Sequence, residues 1–510
     1  MDKILADIAQ LGTSPDDNYR VWYEIFVYSF CDSDGDGYGD LQGVISKLDY
    51  LKELGVGGIW LMPIHPSTTY HKYNVTNYYK IAPAYGTMED FEALIAACKE
   101  RDIKVILDLV VNHTGSAHEW FQTVYNYLQS LPAGKEPSVE DCPYLAYYNI
   151  NTTGGTGYRA ITGTPYYYEC QFAAEMPDLN LDNPALRSEI ENIMKFWMDK
   201  GVAGFRLDAA KEFFTGNSDK NIEVLSWLQS AAEAIDPDAY MVAEVWSDFT
   251  QITDYYASGI TSIFNYPFGD SMGKIIKVVN NAGASAMVNS FATALEKADA
   301  AYLSKHPGYI DAPFLSNHDV GRIGDFTSGK AERTKLAGAM NLLMSGAAFV
   351  YYGEEIGMVS GGSNDPSKRA PMLWNAEGDE GVTKRPPECA LPMEYPFGSL
   401  EEQMTDTHSV YWYYRQAIAI RNALPVISHG RPTAETALNK GCISAVRKTW
   451  NEESCLILMN IDKEAAQVDL SAYGDWKLAA SLSADGNAVA MNGALLELPA
   501  YGVAILLPNS

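Results

Sequence analysis

The sequence predicts an α/β protein: a (β/α)8 TIM barrel, with a small domain inserted after the third strand and an all-β sandwich domain at the C-terminal end. Three observations lead there. Short β-rich apolar runs alternate with amphipathic helical stretches over roughly residues 20–424. One interval of about 90 residues breaks that rhythm, and it is rich in Tyr, Gly, Thr and Asn. After about residue 425 the pattern changes to alternating strands.

The repeating unit is clearest in LDYLKELGVGGIWLMP. Leu48, Leu51 and Leu54 recur at helical spacing, Gly55 ends the helix, and Ile59–Met62 reads as a buried strand. The same reading gives eight candidate strands, near Trp22–Phe26, Gly58–Met62, Val105–Leu109, Gly204–Leu207, Met241–Ala243, Ser262–Asn265, Ala312–Ser316 and Ala348–Tyr351. Strands alternating with helices imply a parallel sheet. Eight such units close into a barrel whose active site lies at the C-terminal ends of the strands. The long interval marks an inserted domain over 114–182, which divides the barrel into 1–113 and 183–424. The runs ISAVRKTW, CLILMNI, QVDLS, LLELP and VAILLP make 425–510 the sandwich domain.

Composition narrows the function. A chain of 510 residues that is 47% hydrophobic and 20% charged can bury a large core and is not disordered. Its 65 acidic and 37 basic residues give a net charge of −28. Nucleic acid and anionic membrane are excluded as partners, because both require a positive face. A neutral substrate or a metal ion suits this charge. Seven cysteines are an odd number, and none is spaced as CxxC, so no disulfide framework is implied. Cys142 with Cys170, or Cys442 with Cys455, remain open as pairs. No apolar run approaches the ~18–20 residues of a membrane span. The opening MDKILADIAQLGTSPDDNY has no apolar leader core, so a cytoplasmic protein is expected, or a secreted one if a leader has been removed. A monomer is also expected.

Four segments place a carboxylate just past a strand end: DLVVNH (Asp108–His113), GFRLDAAK (Gly204–Lys211), VAEVW (Val242–Trp246) and LSNHD (Leu315–Asp319). A single Asp after a strand is ordinarily a helix N-cap. Four strand-end acids with Asn, His and Arg beside them are not explained that way. Glycoside hydrolysis needs one carboxylate beneath the anomeric carbon and one acid beside the leaving oxygen, with their pKa values pushed apart. Asp208 and Glu244, on the fourth and fifth strands, are neighbours at the barrel mouth and meet that need. The 33 Tyr and 10 Trp serve core packing first, with flat platforms for sugar rings as a second use.

In order and spacing the four segments resemble the signature regions of the α-amylase family of glycoside hydrolases. The resemblance runs from VWYEIF at Val21 to AYGVAILLP near the end of the chain, and MPDLN (Met176–Asn180) and YYGEEIG (Tyr351–Gly357) agree with it. It implies that Asp208 is the nucleophile, Glu244 the general acid and then base, and Asp319 the residue that holds the reacting sugar's hydroxyls. His113 and His318 would donate to the same sugar, Tyr73 would stack under it, and Asp108 would brace the network. Lys211 and Trp246 would lie on the leaving-group side. Arg206, two residues before Asp208, points the same way on the strand. Its charge is expected to keep the Asp208 pKa low.

DSDGDGYGD (Asp32–Asp40) sets carboxylates in alternation around a glycine turn, which suits a hard ion with several oxygen ligands. Its first half looks like an EF-hand loop, but the twelfth position is Gly43 rather than Glu. It resembles the calcium loop after the first strand of oligo-1,6-glucosidases and some amylases. That implies a structural calcium held by Asp32, Asp34, Asp36, the Tyr38 carbonyl and Asp40. The Lys-His that carries a second calcium ligand in many α-amylases is Lys211-Glu212 here.

MPDLN resembles the subgroup between oligo-1,6-glucosidases and neopullulanases. Exo-glucosidases usually have Asp after the stacking Tyr; Asn74 stands there and favours endo action. Ala209 resembles α-1,4-acting members, where 1,6-specific enzymes tend to have Val. The expectation is an endo-acting α-amylase on starch and maltooligosaccharides, with α-glucosidase or maltooligosaccharide transglycosylase as the alternative. A non-catalytic binding or transport subunit has no use for a complete Asp208–Glu244–Asp319 set.

Overall fold

The computed structural model describes residues 17–132 and 134–509. Residues 1–16, which carry most of the segment read for a leader, lie outside it. Seven of the eight expected barrel strands are present: Trp22–Ile25, Gly58–Leu61, Lys104–Leu109, Gly204–Leu207, Tyr240–Ala243, Ser262–Ile263 and Phe349–Tyr351. They pair in parallel in chain order, and the last pairs with the first. Helix Leu48–Leu54 buries the three leucines and ends on Gly55 at φ +95°. Only glycine takes that conformation without steric cost.

The seventh strand is a correction. Ala312–Ser316 is not a regular strand; it makes one parallel bridge, Phe264 to Ala312. Pro313 has no N–H to give to a ladder, so pairing cannot propagate. The gap is closed instead by single bonds: Asn265 N to Ala312 O (3.0 Å), Ala347 N to Asp311 O (2.7 Å) and Phe349 N to Pro313 O (2.8 Å).

The barrel interior is filled by rings. Trp22 stacks on Tyr240 (4.9 Å between centroids), Phe264 meets Phe349 (4.9 Å), and Trp60 leans on Phe264 (5.5 Å). All five are essentially buried. This plug supports the barrel mouth directly, because the Arg206 guanidinium lies 5.2 Å above the Trp60 ring.

Between the third and fourth strands the chain forms helix Glu119–Ser130 and a three-stranded sheet of Ile150–Asn151, Tyr167–Glu169 and Tyr158–Ala160. MPDLN fastens this insert to the barrel. His113 bridges Asp178, Thr114 N donates to Pro177 O (3.1 Å), and Leu179 N donates to Asn112 O (2.9 Å).

The C-terminal region is two antiparallel sheets of five and three strands. The five expected runs are strands there, and Arg431–Ala434, Trp476–Ser483 and Ala490–Asn492 join them. Trp476–Ser483 was hidden from the sequence because its register slips between Leu478 and Ala480, which breaks the alternation. Lys335 donates to the His408 carbonyl within the barrel region (2.5 Å) and to the Ala484 carbonyl of the sandwich (2.9 Å), which ties the two together. All seven cysteines are free, so neither open pairing forms. Among the described residues no helix is long and apolar enough to cross a membrane.

Gly204 opens the strand that carries Arg206 and Asp208. It sits at φ +148°, and a Cβ there would lie 1.9 Å from the Tyr240 carbonyl oxygen. Backbone cannot step aside as a flexible side chain can. Gly204→Ala is expected to destabilise the fold by at least ~1–3 kcal/mol, read as a lower melting temperature. An unchanged melting temperature would contradict this packing.

Candidate active site

Strand pairing sets the two central carboxyls side by side. Leu207 is in register with Ala243, so Asp208 and Glu244 follow as the next pair at the barrel mouth. Glu244 N donates to Leu207 O (3.0 Å) and Ala210 N donates to Glu244 O (3.0 Å). Ala209 turns between them at φ +47°, where L side chains are uncommon. That turn delivers its N–H to Glu244 Oε2 at 2.9 Å. A β-branched residue would make the same turn more costly.

Arg206, 1% exposed, is the hub. Its Nη1 donates to Asp108 Oδ1 (2.8 Å) and Oδ2 (2.9 Å) and to Asp208 Oδ1 (2.6 Å). Its Nη2 donates to Glu244 Oε2 (2.7 Å). The sequence led to the expectation that Arg206 holds the Asp208 pKa low, and the structure corrects it. Burial is the larger effect and raises the Asp208 carboxyl above its ordinary value; Arg206 opposes this only in part. The reason is that one guanidinium is divided among three buried carboxyls. Glu244 is raised by burial too, with Arg206 again opposing. Asp108 is pushed up to about 7 by burial against the pull of Arg206.

Asp319 behaves differently. Burial would raise it, but His318 and Arg369 outweigh burial and hold it well below the carboxylate range. Arg369 Nη2 contacts Asp319 Oδ1 at 2.7 Å, and His318 Nε2 contacts Oδ2 at 2.9 Å. Five carboxyls, Glu24, Asp108, Asp208, Glu244 and Asp319, therefore meet three cations, Arg206, Arg369 and protonated His318. Ionising all five would leave net negative charge in a buried site, so a proton is retained among them.

These groups line or back a cleft of about 840 Å3. Tyr73, His113, Asp208, Lys211, Glu244, Trp246 and Asp319 reach it. Asp108, Arg206 and His318 stand behind, fully buried. His113 is held neutral by burial, with its pKa near 4. Asn112 Nδ2 lies 3.3 Å from its Nδ1, and its buried Nε2 makes no full hydrogen bond within the protein, although the Tyr73 backbone interacts with the ring. Lys211 Nζ donates to Trp246 O (3.2 Å), and the half-exposed Trp246 ring stacks on Tyr266 at 5.4 Å. Asn74 does not face the cleft. Its amide is spent on Glu175 O (3.2 Å), where it braces the insert.

Several residues were missed in the sequence. Arg369 follows the eighth strand outside any motif. Glu24 lies inside VWYEIF, where its period-2 position marks it only as a strand residue. Phe172 comes from the insert. Among the described residues, Phe172 (51%) and Trp246 (46%) are the exposed aromatic rings, and both line the cleft. That coincidence needs coordinates to see.

The acidic loop after the first strand gathers Asp32, Asp34 and Asp40, with one oxygen of each within 4.8 Å of the others. An oxygen-only donor set of this charge fits a hard divalent cation. Asp36 is not in that group. Its Oδ1 accepts from Tyr38 N (2.7 Å), and its carbonyl accepts from Lys384 Nζ (2.6 Å).

Comparison with known proteins agrees with this geometry. The model of the alpha-amylase catalytic domain matches residues 24–430. "Alpha-amylase 3" of Dictyoglomus thermophilum is 39% identical over 451 residues, covering 87% of this chain and 85% of its own. "Oligo-1,6-glucosidase" of Parageobacillus thermoglucosidasius is 28% identical, with 87% and 91% covered. Among solved structures, Eubacterium rectale Amy13B superposes with a TM-score of 0.94 at 42% identity, covering 99% of this chain and 98% of that one. The α-amylase from H. orenii gives 0.82 at 33% identity, with 97% and 100% covered. A family model spanning most of the barrel, and relatives aligned over nearly the whole length, establish that the chain belongs to the α-amylase family of glycoside hydrolases.

Proposed function

We propose that the protein is a retaining, endo-acting α-amylase that cleaves α-1,4-glucosidic bonds of starch and maltooligosaccharides. The observation that carries this reading is the Asp208–Glu244 pair joined by Arg206 on adjacent strand ends. Asp208 attacks the anomeric carbon from below and forms a covalent glycosyl-enzyme. Glu244 gives its proton to the leaving oxygen, then takes one from water as the intermediate is hydrolysed. Asp319, held ionised, grips the hydroxyls of the distorted sugar. The neutral His113 donates its free Nε2–H to the same ring, and Tyr73 stacks beneath it. Phe172, Trp246 and Lys211 bind flanking sugars, the two rings by stacking.

Endo action is supported by the cleft's volume of about 840 Å3, toward the upper end of the range for small-molecule sites. It is also supported by the relatives named as α-amylases at 39% and 33% identity. Asn74 contributes less than the sequence suggested, since its amide is turned away from the cleft. In the α-1,4 reading the strained turn at Ala209 suits a small residue. The division into 1–113, 114–182, 183–424 and 425–510 remains our domain proposal.

We also propose that calcium is bound as a structural ion by Asp32, Asp34 and Asp40, with the Tyr38 carbonyl and Asp36 as further oxygen donors. When bound, it would lock the loop that follows the first strand; no step of the reaction passes through it.

Asp208→Asn is expected to lower kcat at least about a thousandfold while maltooligosaccharide binding, followed by calorimetry, survives. Wild-type turnover in that variant would remove Asp208 from the mechanism. A product time course on maltoheptaose should give mixed short oligomers from internal cleavage. Glucose alone from the start would make the enzyme an exo-glucosidase, and products longer than the substrate a transglycosylase. EDTA should lower the melting temperature, and added calcium should restore it; no shift in either direction would refute the metal loop.

A further inference from the structure

Glu24 lies on the first strand with its side chain buried. Its Oε1 is 2.5 Å from Nδ1 of His318. On the other edge of that ring, Nε2 is 2.9 Å from Asp319 Oδ2 and 2.7 Å from the Tyr73 hydroxyl. The ring has no exposed surface. Tyr73 stacks on it at 5.6 Å, and Trp60 meets it edgewise at 5.7 Å.

The hydrogen-bond inventory constrains the ring. A neutral imidazole has one N–H, and a carboxylate only accepts. Each nitrogen of His318 faces a carboxylate oxygen. With both carboxyls ionised, a neutral ring would set a bare lone pair against an anion on one side; burial raises the Glu24 carboxyl, and His318 and Arg206 pull it back. The Tyr73 hydroxyl does not relieve this, because it donates its proton to Asp108 Oδ2 (3.0 Å). Two ring protons satisfy every contact.

We propose that Glu24 is a positioning residue: as the inner counter-anion it holds His318 as an imidazolium, and through that ring it keeps Asp319 ionised and aimed into the cleft. The inference rests on the reading of Asp208, Glu244 and Asp319 as the catalytic set. Glu24 itself touches no sugar. Asp319 is gripped at both oxygens, by Arg369 on Oδ1 and His318 on Oδ2. Its carboxylate plane is therefore fixed before substrate arrives.

Other charged and titratable groups face this couple. Tyr73 and His71 come from the segment after the second strand, Asp108 from the third strand, and Arg206 and Asp208 from the fourth. Arg369 enters after the eighth strand and donates to the His318 carbonyl (3.1 Å), and Tyr351 stands near Glu24 on the eighth. Arg206 and Arg369 disfavour a third cation. Burial lowers the His318 pKa, but the touching carboxylates of Asp319 and Glu24 outweigh it and raise the ring to about 9. A folded pKa above the unfolded value of about 6.5 gives stability that is complete below about pH 6.5. That stability is lost as pH rises through about 9.

Glu24→Gln keeps the size and an acceptor for Nδ1–H while removing the charge. We expect kcat on maltoheptaose to fall about tenfold or more, with KM within about twofold. The alkaline limb of kcat/KM should move down by about one pH unit or more. The alkaline fall in melting temperature should move down with it. Glu24→Asp retains the charge, so its alkaline limb should stay nearer that of the wild type even where kcat drops. Activity lowered by the same factor at every pH, with an unmoved melting profile, overturns the proposal and leaves Glu24 a packing residue. Wild-type behaviour in Glu24→Gln overturns it as well. If that variant does not fold, the Glu24→Asp profile decides alone: an alkaline limb displaced downward as far as one unit or more refutes the charge argument. The melting profiles need no turnover. An inactive wild type would therefore count against the proposed function and not against the Glu24–His318 coupling.

Discussion

The Arg206 guanidinium is the constraint around which the barrel mouth is built. It is buried, it touches Asp108, Asp208 and Glu244, and it rests on the Trp60 ring. A buried cation needs carboxylate partners, and buried carboxylates need a cation. Removing either leaves a desolvated charge. The third, fourth and fifth strands are thereby held at one mutual height, which is also the height at which Asp208 and Glu244 can share a sugar. Stability of the mouth and geometry of the proposed chemistry depend on the same bonds.

That arrangement also separates the acids by environment. One cation cannot fully compensate three carboxyls, so Asp108, Asp208 and Glu244 all sit above their ordinary range. Asp319 has Arg369 on one oxygen and His318, which it shares with Glu24, on the other, and lies far below it. The proposed retaining hydrolysis needs a proton on the acid and an ionised nucleophile. The excess of acids over cations keeps a proton in the cluster for Glu244, Arg206 offers its charge to Asp208, and the Arg369–His318 clamp keeps Asp319 anionic beside them. The aromatic plug beneath excludes water from this network and leaves its charges poorly screened.

The insert completes the site from outside. MPDLN pairs with the end of the third strand, so His113 belongs at once to barrel and insert. The insert also brings Phe172 to the cleft that Trp246 lines, and these rings stay exposed in a chain that buries or half-buries its other aromatics. Exposed rings are costly unless something covers them. A sugar face does so in the proposed substrate complex.

The barrel, the inserted segment, the terminal strands and the family are legible along the chain. That is because local periodicity and four strand-end motifs are properties of neighbouring residues. Asp208, Glu244 and Asp319 were legible for that reason, and so was the cluster Asp32, Asp34 and Asp40. What depends on distant residues meeting becomes visible in the folded chain alone. Pro313 reduces the seventh strand to a bridge because the ladder needs an N–H that the fold requires at that point. Arg206 does not depress the Asp208 pKa, because two other carboxyls claim it. Asn74 turns to Glu175. Glu24 looked like one more strand residue until folding brought His318 against it, 294 positions along the chain.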